Sequence, residues 1–258
     1  MPGVQPCALP ISEREEACIR RLLARQVDGL FIRPVYRPDP VAAIYDKLRE
    51  FKTPTIILGH RALFCSDFPN VETDDITASQ IATEHLLDLG HCKIACLTGP
   101  TFAPWAQERY EGYSRALRER HIDADERLIF QAGSTIEEGT VAGLQMINEN
   151  PGATALIAAN DLVAIGAAST LLDQGVKIPE NISVVGFGNT LTAEHFRVPL
   201  TTISQPKYRR GTAAIESMEK LLAGEKASFK RLPADLVIRK STSRSEERRV
   251  GKECRSRW

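Results

Sequence analysis

The chain has 258 residues, of which 43 % are hydrophobic and 26 % charged, close to the averages of soluble globular proteins, so a core of ordinary size can form. Its 33 basic and 33 acidic residues cancel, and it therefore lacks the basic excess with which a segment grips a phosphate backbone. No run approaches the roughly 20 apolar residues that cross a bilayer, and Met1 to Ile11 has neither the charged nor the apolar region of a signal peptide.

The predicted elements alternate along the chain. Ser12 and Glu15 fit a capping box ahead of a helix through about Gln26. Asp28 to Ile32 is a short apolar strand, Pro38 to Phe51 a helix, and Pro54 to Leu58 a second strand. Asn70 to Thr73 is a short third strand. Asp74 or Asp75 caps a helix that runs to Leu89, where Gly90 stops it. Lys93 to Leu97 is the next strand. The alternation then repeats: helices at 108–120, 137–148 and 161–174, with strands at 128–131, 155–158 and 182–187. Thr201 to Ser204 is extended, Tyr208 to Leu222 is helical, and Leu236 to Arg239 is the closing strand.

Continuous apolar strands between helices argue for parallel sheets covered on both faces. Two successive blocks, 12–99 and 104–200, predict two lobes. In such sheets ligands bind outside the carboxyl ends of the strands, and with two lobes the natural place is the cleft between them. The six cysteines are irregularly spaced in a long chain and read as reduced thiols, Cys96 as a small core residue. No metal motif, Walker A, GxSxG or GxGxxG spacing occurs. No catalytic constellation, cofactor or metal is therefore expected.

Seven phrases go beyond pattern: VDGLFIRP at 27–34, HLLDLGHCKIACLTGP at 85–100, ERYEGYSRAL at 108–117, ALIAANDLVAIGA at 155–167, ISVVGFGN at 182–189, PLTTISQP at 199–206 and RLPADLVIRKST at 231–242. In this order and spacing the chain resembles the effector-binding region of LacI/GalR-type transcriptional regulators from about Ser12 to Ser243. The resemblance implies an α/β, two-lobed periplasmic-binding-protein-like (type I) fold, each lobe a parallel sheet flanked by helices. Crossings between lobes are expected near 99–103, 202–206 and 225–231. The first lobe would comprise 12–99 plus 206–225, and the second 100–205 plus 230–243. A small sugar-like effector would bind in the cleft of a cytoplasmic homodimer, with the helices near 75–89 and 161–174 as dimer candidates. Operator DNA would be held only by a helix-turn-helix head that this chain lacks, and no membrane is involved. The start of the first lobe is expected to be missing too, and 1–11 and 244–258 read as non-native leader and tail. The competing function is a periplasmic sugar-binding protein of a transporter.

Within the resemblance, Arg109 falls where relatives hold effector oxygens, a task for which the guanidinium fork suits two parallel hydrogen bonds. Asn160, after a strand, offers the donor and acceptor that a sugar hydroxyl needs; Asp161 beside it reads as a helix N-cap. Relatives carry an aspartate directly after GF. Here Gly188 stands there, and Asn189 is the candidate substitute. His60 follows a strand where relatives often have an aspartate, and reads either as a ligand contact or as an exposed loop residue. Trp105 can stack on a sugar ring or pack between elements. Thr135 lies near a place where relatives often carry a stacking aromatic. His85 and His91 read as structural.

Overall fold

The computed structural model describes residues 11–149 and 151–245. Residues 1–10 of the proposed leader and 246–258 of the proposed tail, with Cys7 and Cys254, lie outside the described residues; Ile11 opens the first helix, and Ser245 N donates to the Leu89 carbonyl at 2.9 Å. The chain divides into two compact units, 1–72 with 207–232, and 73–206 with 233–258. No helix among the described residues is long and apolar enough to cross a membrane.

The first unit carries a four-stranded sheet in the order β1-β2-β3-β9, from Leu30–Ile32, Thr55–Leu58, Asn70–Thr73 and Lys230–Leu232. β1, β2 and β3 are parallel. Helices α1 (Ile11–Ala24) and α2 (Ala43–Glu50) bury Ile19, Ile44, Tyr45 and Leu48 with Leu30, Ile32 and Ile57. Helix α8 (Lys207–Leu222) lays Ala213, Ala214 and Met218 against Ile56 and Val71. Successive residues of β2 thus serve opposite faces, as the two-residue period of a strand requires. Ser12 lies inside α1 and is not its cap. Its expected capping partner Glu15 instead accepts hydrogen bonds from Val35 N (2.8 Å) and the Tyr45 hydroxyl (2.9 Å) and pairs with Arg37.

The second unit carries a six-stranded sheet in the order β10-β8-β7-β6-β4-β5. Its strands are β4 (Ile94–Thr98), β5 (Ile129–Gln131), β6 (Ala155–Ala158), β7 (Ser183–Phe187), β8 (Thr201–Ser204) and β10 (Asp235–Val237). All pairings are parallel except the edge strand β10, which runs antiparallel to β8. On one face lie α3 (Asp75–Asp88) and α4 (Pro104–Glu119), burying Ala78, Leu86, Tyr113 and Leu117 on Ile94, Cys96, Ile157 and Val185. On the other lie α5 (Ile136–Glu149) and α6 (Asp161–Asp173), which cover Ala95, Leu97, Leu156 and Val184. The remaining helix, α7, is a single turn at Leu191–Glu194.

Two domain boundaries differ from expectation. The chain leaves the first unit after Glu72, not near 99–103. The reason is pairing: Ile94–Thr98 lies between β5 and β6, both of the second sheet, and α3 packs on α4. An unbroken apolar strand such as IACL carries no mark of the sheet it will join. The other difference is β9, which assigns 230–232 to the first unit and starts the final segment of the second at Pro233. Cys18, Cys65 and Cys96 are free thiols.

Candidate functional site

The strand order of the second unit fixes where its site lies. From β4 the chain moves outward to β5, then returns to the other side of β4 to form β6, β7 and β8. The order therefore reverses between β4 and β6, and the loops leaving their carboxyl ends part there, opening the crevice in which α/β sheets bind ligands. A small pocket sits at that point, lined among others by Thr98 at the end of β4, Gly99 after it, Ala159 after β6, Phe187 of β7, and Arg109.

Arg109 is one of the residues that line this small pocket. α4 begins at Pro104, a residue pre-set for the first helical turn, earlier than the predicted 108. The extra turn brings Trp105 one turn before Arg109, with the guanidinium carbon 4.7 Å from the Trp105 ring centre. The same carbon lies 3.5 Å over the Phe187 ring. Nε and Nη2 donate to Asp75 Oδ2 at 3.2 and 3.0 Å, and Nη1 donates to the Ala159 carbonyl. The pair is buried, with Asp75 at 1 % and Arg109 at 12 % side-chain exposure. α3 and α4 are tied again by the Ser79 hydroxyl, which donates to the Arg109 carbonyl at 2.6 Å. Trp105 also packs on the end of β4: a methyl added at Gly99 would lie 2.6 Å from its ring.

The two asparagines are held by their own loops. Asn160 is the N-cap of α6: Oδ1 accepts from Val163 N at 2.8 Å, while Nδ2 donates to the Ser134 carbonyl at 3.0 Å. The cap expected of Asp161 thus belongs to Asn160. Asp161, 1 % exposed, is a tie between three elements: it accepts from Thr190 N (2.7 Å), the Thr190 hydroxyl (2.9 Å) and the Thr202 hydroxyl (2.6 Å). Its carboxylate fills the space beside Gly186, where an added methyl would come within 2.4 Å of Oδ1. Asn189 has φ +50°, a left-handed conformation that asparagine tolerates better than most residues. Its Nδ2 donates to the Ser204 hydroxyl (3.0 Å) and its Oδ1 accepts from Arg239 Nη2 (2.7 Å).

Thr135 is exposed and caps α5. Its hydroxyl accepts from Glu138 N at 3.2 Å while Glu138 Oε2 accepts from Thr135 N at 2.9 Å and Ser134 N at 2.7 Å, a reciprocal capping box. These amide donors hold the Glu138 carboxyl below its ordinary pKa. His60 belongs to the first unit, at the carboxyl end of β2. It is buried, not an exposed loop residue, and its carbonyl accepts from the Tyr36 hydroxyl at 2.8 Å. The structure thus brings Arg109 and Trp105 together, sets Asn160 next to the Ala159 carbonyl that Arg109 uses, and sets Asn189 two residues beyond Phe187. Sequence reasoning missed Asp75 and Phe187 as Arg109's partners. They are 34 and 78 positions away, and only the sheet order joins them.

A doubly wound sheet flanked by helices, on a chain that also forms a second α/β unit, is the architecture of a periplasmic-binding-protein type of domain. The family profile of the Periplasmic binding protein-like domain matches residues 83–242. The HTH-type transcriptional repressor PurR of Vibrio atlanticus is 34 % identical over 206 residues, covering 80 % of this chain and 61 % of the repressor. The HTH-type transcriptional repressor CytR of Escherichia coli is 30 % identical over 233 residues, covering 90 % of this chain and 67 % of its own length. Among solved structures, the transcriptional regulator CelR–cellobiose complex is 27 % identical with a TM-score of 0.80, over 89 % of this chain and 70 % of that one. A LacI family regulator from Enterococcus faecium with bound ribose is 25 % identical with a TM-score of 0.76, over 90 % of this chain and 85 % of that one. The chain belongs to the LacI/GalR family of transcriptional regulators, as its periplasmic-binding-protein-like effector domain. It spans 61–67 % of the two repressors' length. These relatives are transcriptional regulators, not enzymes.

Proposed function

We propose that this chain is the part of a cytoplasmic DNA-binding regulator that senses a small sugar-like effector, and that the effector binds at the carboxyl edge of the six-stranded sheet. The observation that carries this reading is Arg109: a guanidinium fixed in orientation by Asp75, Phe187 and the Ala159 carbonyl, at the switch point of the sheet. Flat aromatic faces beside a forked donor are what a hydroxyl-rich ring with an apolar face requires. Cellobiose and ribose in two solved relatives support a sugar as the class. Trp105 would stack on the ring, and Asn160, Asn189 and Thr135 are the further candidates for contact. Operator DNA would be bound by a helix-turn-helix head, and the working unit would be a homodimer. The effector acts by preferring one conformational state over another, since equal affinity for both would shift nothing.

The test begins with thermal-shift screening of ribose, cellobiose and a nucleoside panel, followed by calorimetric titration of the best binder. Arg109→Lys keeps the positive charge that Asp75 needs but loses the fork. It is expected to weaken binding by about tenfold or more, the equivalent of roughly 1.4 kcal/mol. Unchanged affinity in Arg109→Lys would remove the residue from the site, and the absence of any sugar or nucleoside shift would overturn the effector class.

A further inference from the structure

Arg109 is not presented to the crevice as a bare cation. Asp75 Oδ2 takes two of its N–H groups, and both side chains are withdrawn from solvent. Asp75 is the first residue of α3, a position at which the helix's unpaired N–H groups favour a carboxylate. Asp74, next to it, is occupied as the cap of α3, accepting from Thr77 N at 3.2 Å. Phe187, Trp105 and the Ala159 carbonyl, all uncharged, also touch the guanidinium. Beyond β7, Gly188 supplies no side chain at all. Asp75 thus sets a buried carboxylate directly against the guanidinium from α3, a position the motif phrases do not reach.

We infer that Asp75 is the specificity-determining residue of the Arg109 site: by neutralising the guanidinium in place it makes the site one for a neutral hydroxyl-bearing ligand and bars a phosphorylated or carboxylated one. An anion drawn to the Arg109 N–H groups would lie beside a buried carboxylate, and like charges juxtaposed in a poorly solvated site repel strongly. A neutral hydroxyl accepts from the oriented N–H groups without that repulsion. Asp75 acts through Arg109. It is a positioning residue that also sets the sign of charge the site accepts. The inference takes its location from the effector site proposed above, but its test does not depend on which sugar binds.

The experiment uses the full chain and inorganic phosphate as the probe, titrated by calorimetry at low ionic strength. The wild type is expected to bind phosphate weakly or not at all. Asp75→Asn keeps an amide oxygen for Arg109 and removes the charge, and is expected to raise phosphate affinity at least about tenfold. Adding Arg109→Gln to Asp75→Asn should abolish the gain. Asp75→Ser is the second variant, should the amide destabilise α3. Trp105 fluorescence in a Trp258→Phe background reports whether the guanidinium keeps its seat beside the indole. Equal phosphate affinity in the wild type and both Asp75 variants overturns the inference, as does a gain that survives loss of Arg109. A phosphate gain without any sugar binding to the wild type would leave the Asp75 assignment standing while sinking the sugar-sensor reading. Sugar binding without a phosphate gain would do the reverse.

Discussion

Asn160 and Asp161 stand side by side, and the structure gives them unequal structural weight. Asp161→Ala removes an acceptor from one backbone N–H and two hydroxyls. Hydrogen bonds to a charged group are worth roughly 1.5–3 kcal/mol each, but bonds sharing one carboxylate are not additive, and the hydroxyls can turn elsewhere. With a buried donor left unsatisfied costing about 1–3 kcal/mol, the total loss is about 3–5 kcal/mol. Asn160→Ala loses an N-cap, about 1 kcal/mol, and the bond to Ser134, about another 1 kcal/mol. At roughly 2–4 °C per kcal/mol for a unit of this size, the melting temperature should fall by about 10 °C for Asp161→Ala and about 5 °C for Asn160→Ala. Differential scanning calorimetry of the two single variants measures both. Equal shifts, or a larger one for Asn160→Ala, would refute the reading of Asp161 as the tie between α6, β8 and the loop after β7.

Thr135→Ala should lower stability by about 1 kcal/mol through loss of the α5 cap, measured by urea titration; Glu138→Ala should do likewise because it is the reciprocal half of the box. Gly166→Ala should be more costly, since its added methyl would lie 2.0 Å from the Ile136 carbonyl, and over-packing typically costs about 1–3 kcal/mol; circular-dichroism melts will show whether α5 and α6 can part. Burial holds the half-buried His85 ring below its ordinary pKa of 6.5. The unfolded chain then takes up this proton first, so stability is full above pH 6.5 and falls as the pH drops toward the folded-state value; His85→Gln should flatten that part of the stability profile. Burial also pushes the Cys96 thiol up to about 12. Alkylation followed by mass spectrometry should therefore label the exposed Cys18 and spare Cys96 until the protein is denatured.

The elements were legible because each carries a local signal. IACL, ALIA and VVGF are unbroken apolar runs, as strands covered on both faces must be, and Gly90 with φ +92° ends α3 as its position implied. What was not legible is long-range. Nothing in Ile94–Thr98 says that it lies between β5 and β6, so the first domain boundary was placed 27 residues too late, at 99 instead of 72. The short β9 gave no periodicity to read. Caps were ambiguous wherever two candidates adjoin: Asn160 and Asp161 both suit the start of a helix, and only the direction of the chain after β6 decides that the asparagine caps and the aspartate reaches across to Thr190 and Thr202.

The same distinction explains why the candidate site was read unevenly. Arg109 was found through its phrase, but its behaviour depends on groups that no phrase contains. A guanidinium with five N–H donors on a flexible stem loses about 2 kcal/mol of rotamer freedom when fixed. Here that ordering is made within the protein by Asp75, Ala159 and Phe187, which come from α3, the turn after β6, and β7. The candidates chosen for their hydrogen-bonding versatility, Asn160, Asn189 and Thr135, are engaged with Val163 and Ser134, with Ser204 and Arg239, and with Glu138. Any contact they make with an effector must share or replace these bonds. Recognition at this edge is therefore expected to rest chiefly on one preorganised guanidinium and the aromatic faces beside it, with the loop amides shaping the crevice. That expectation is why exchanging Arg109 for lysine, a change that preserves charge, should cost more affinity than removing either asparagine amide.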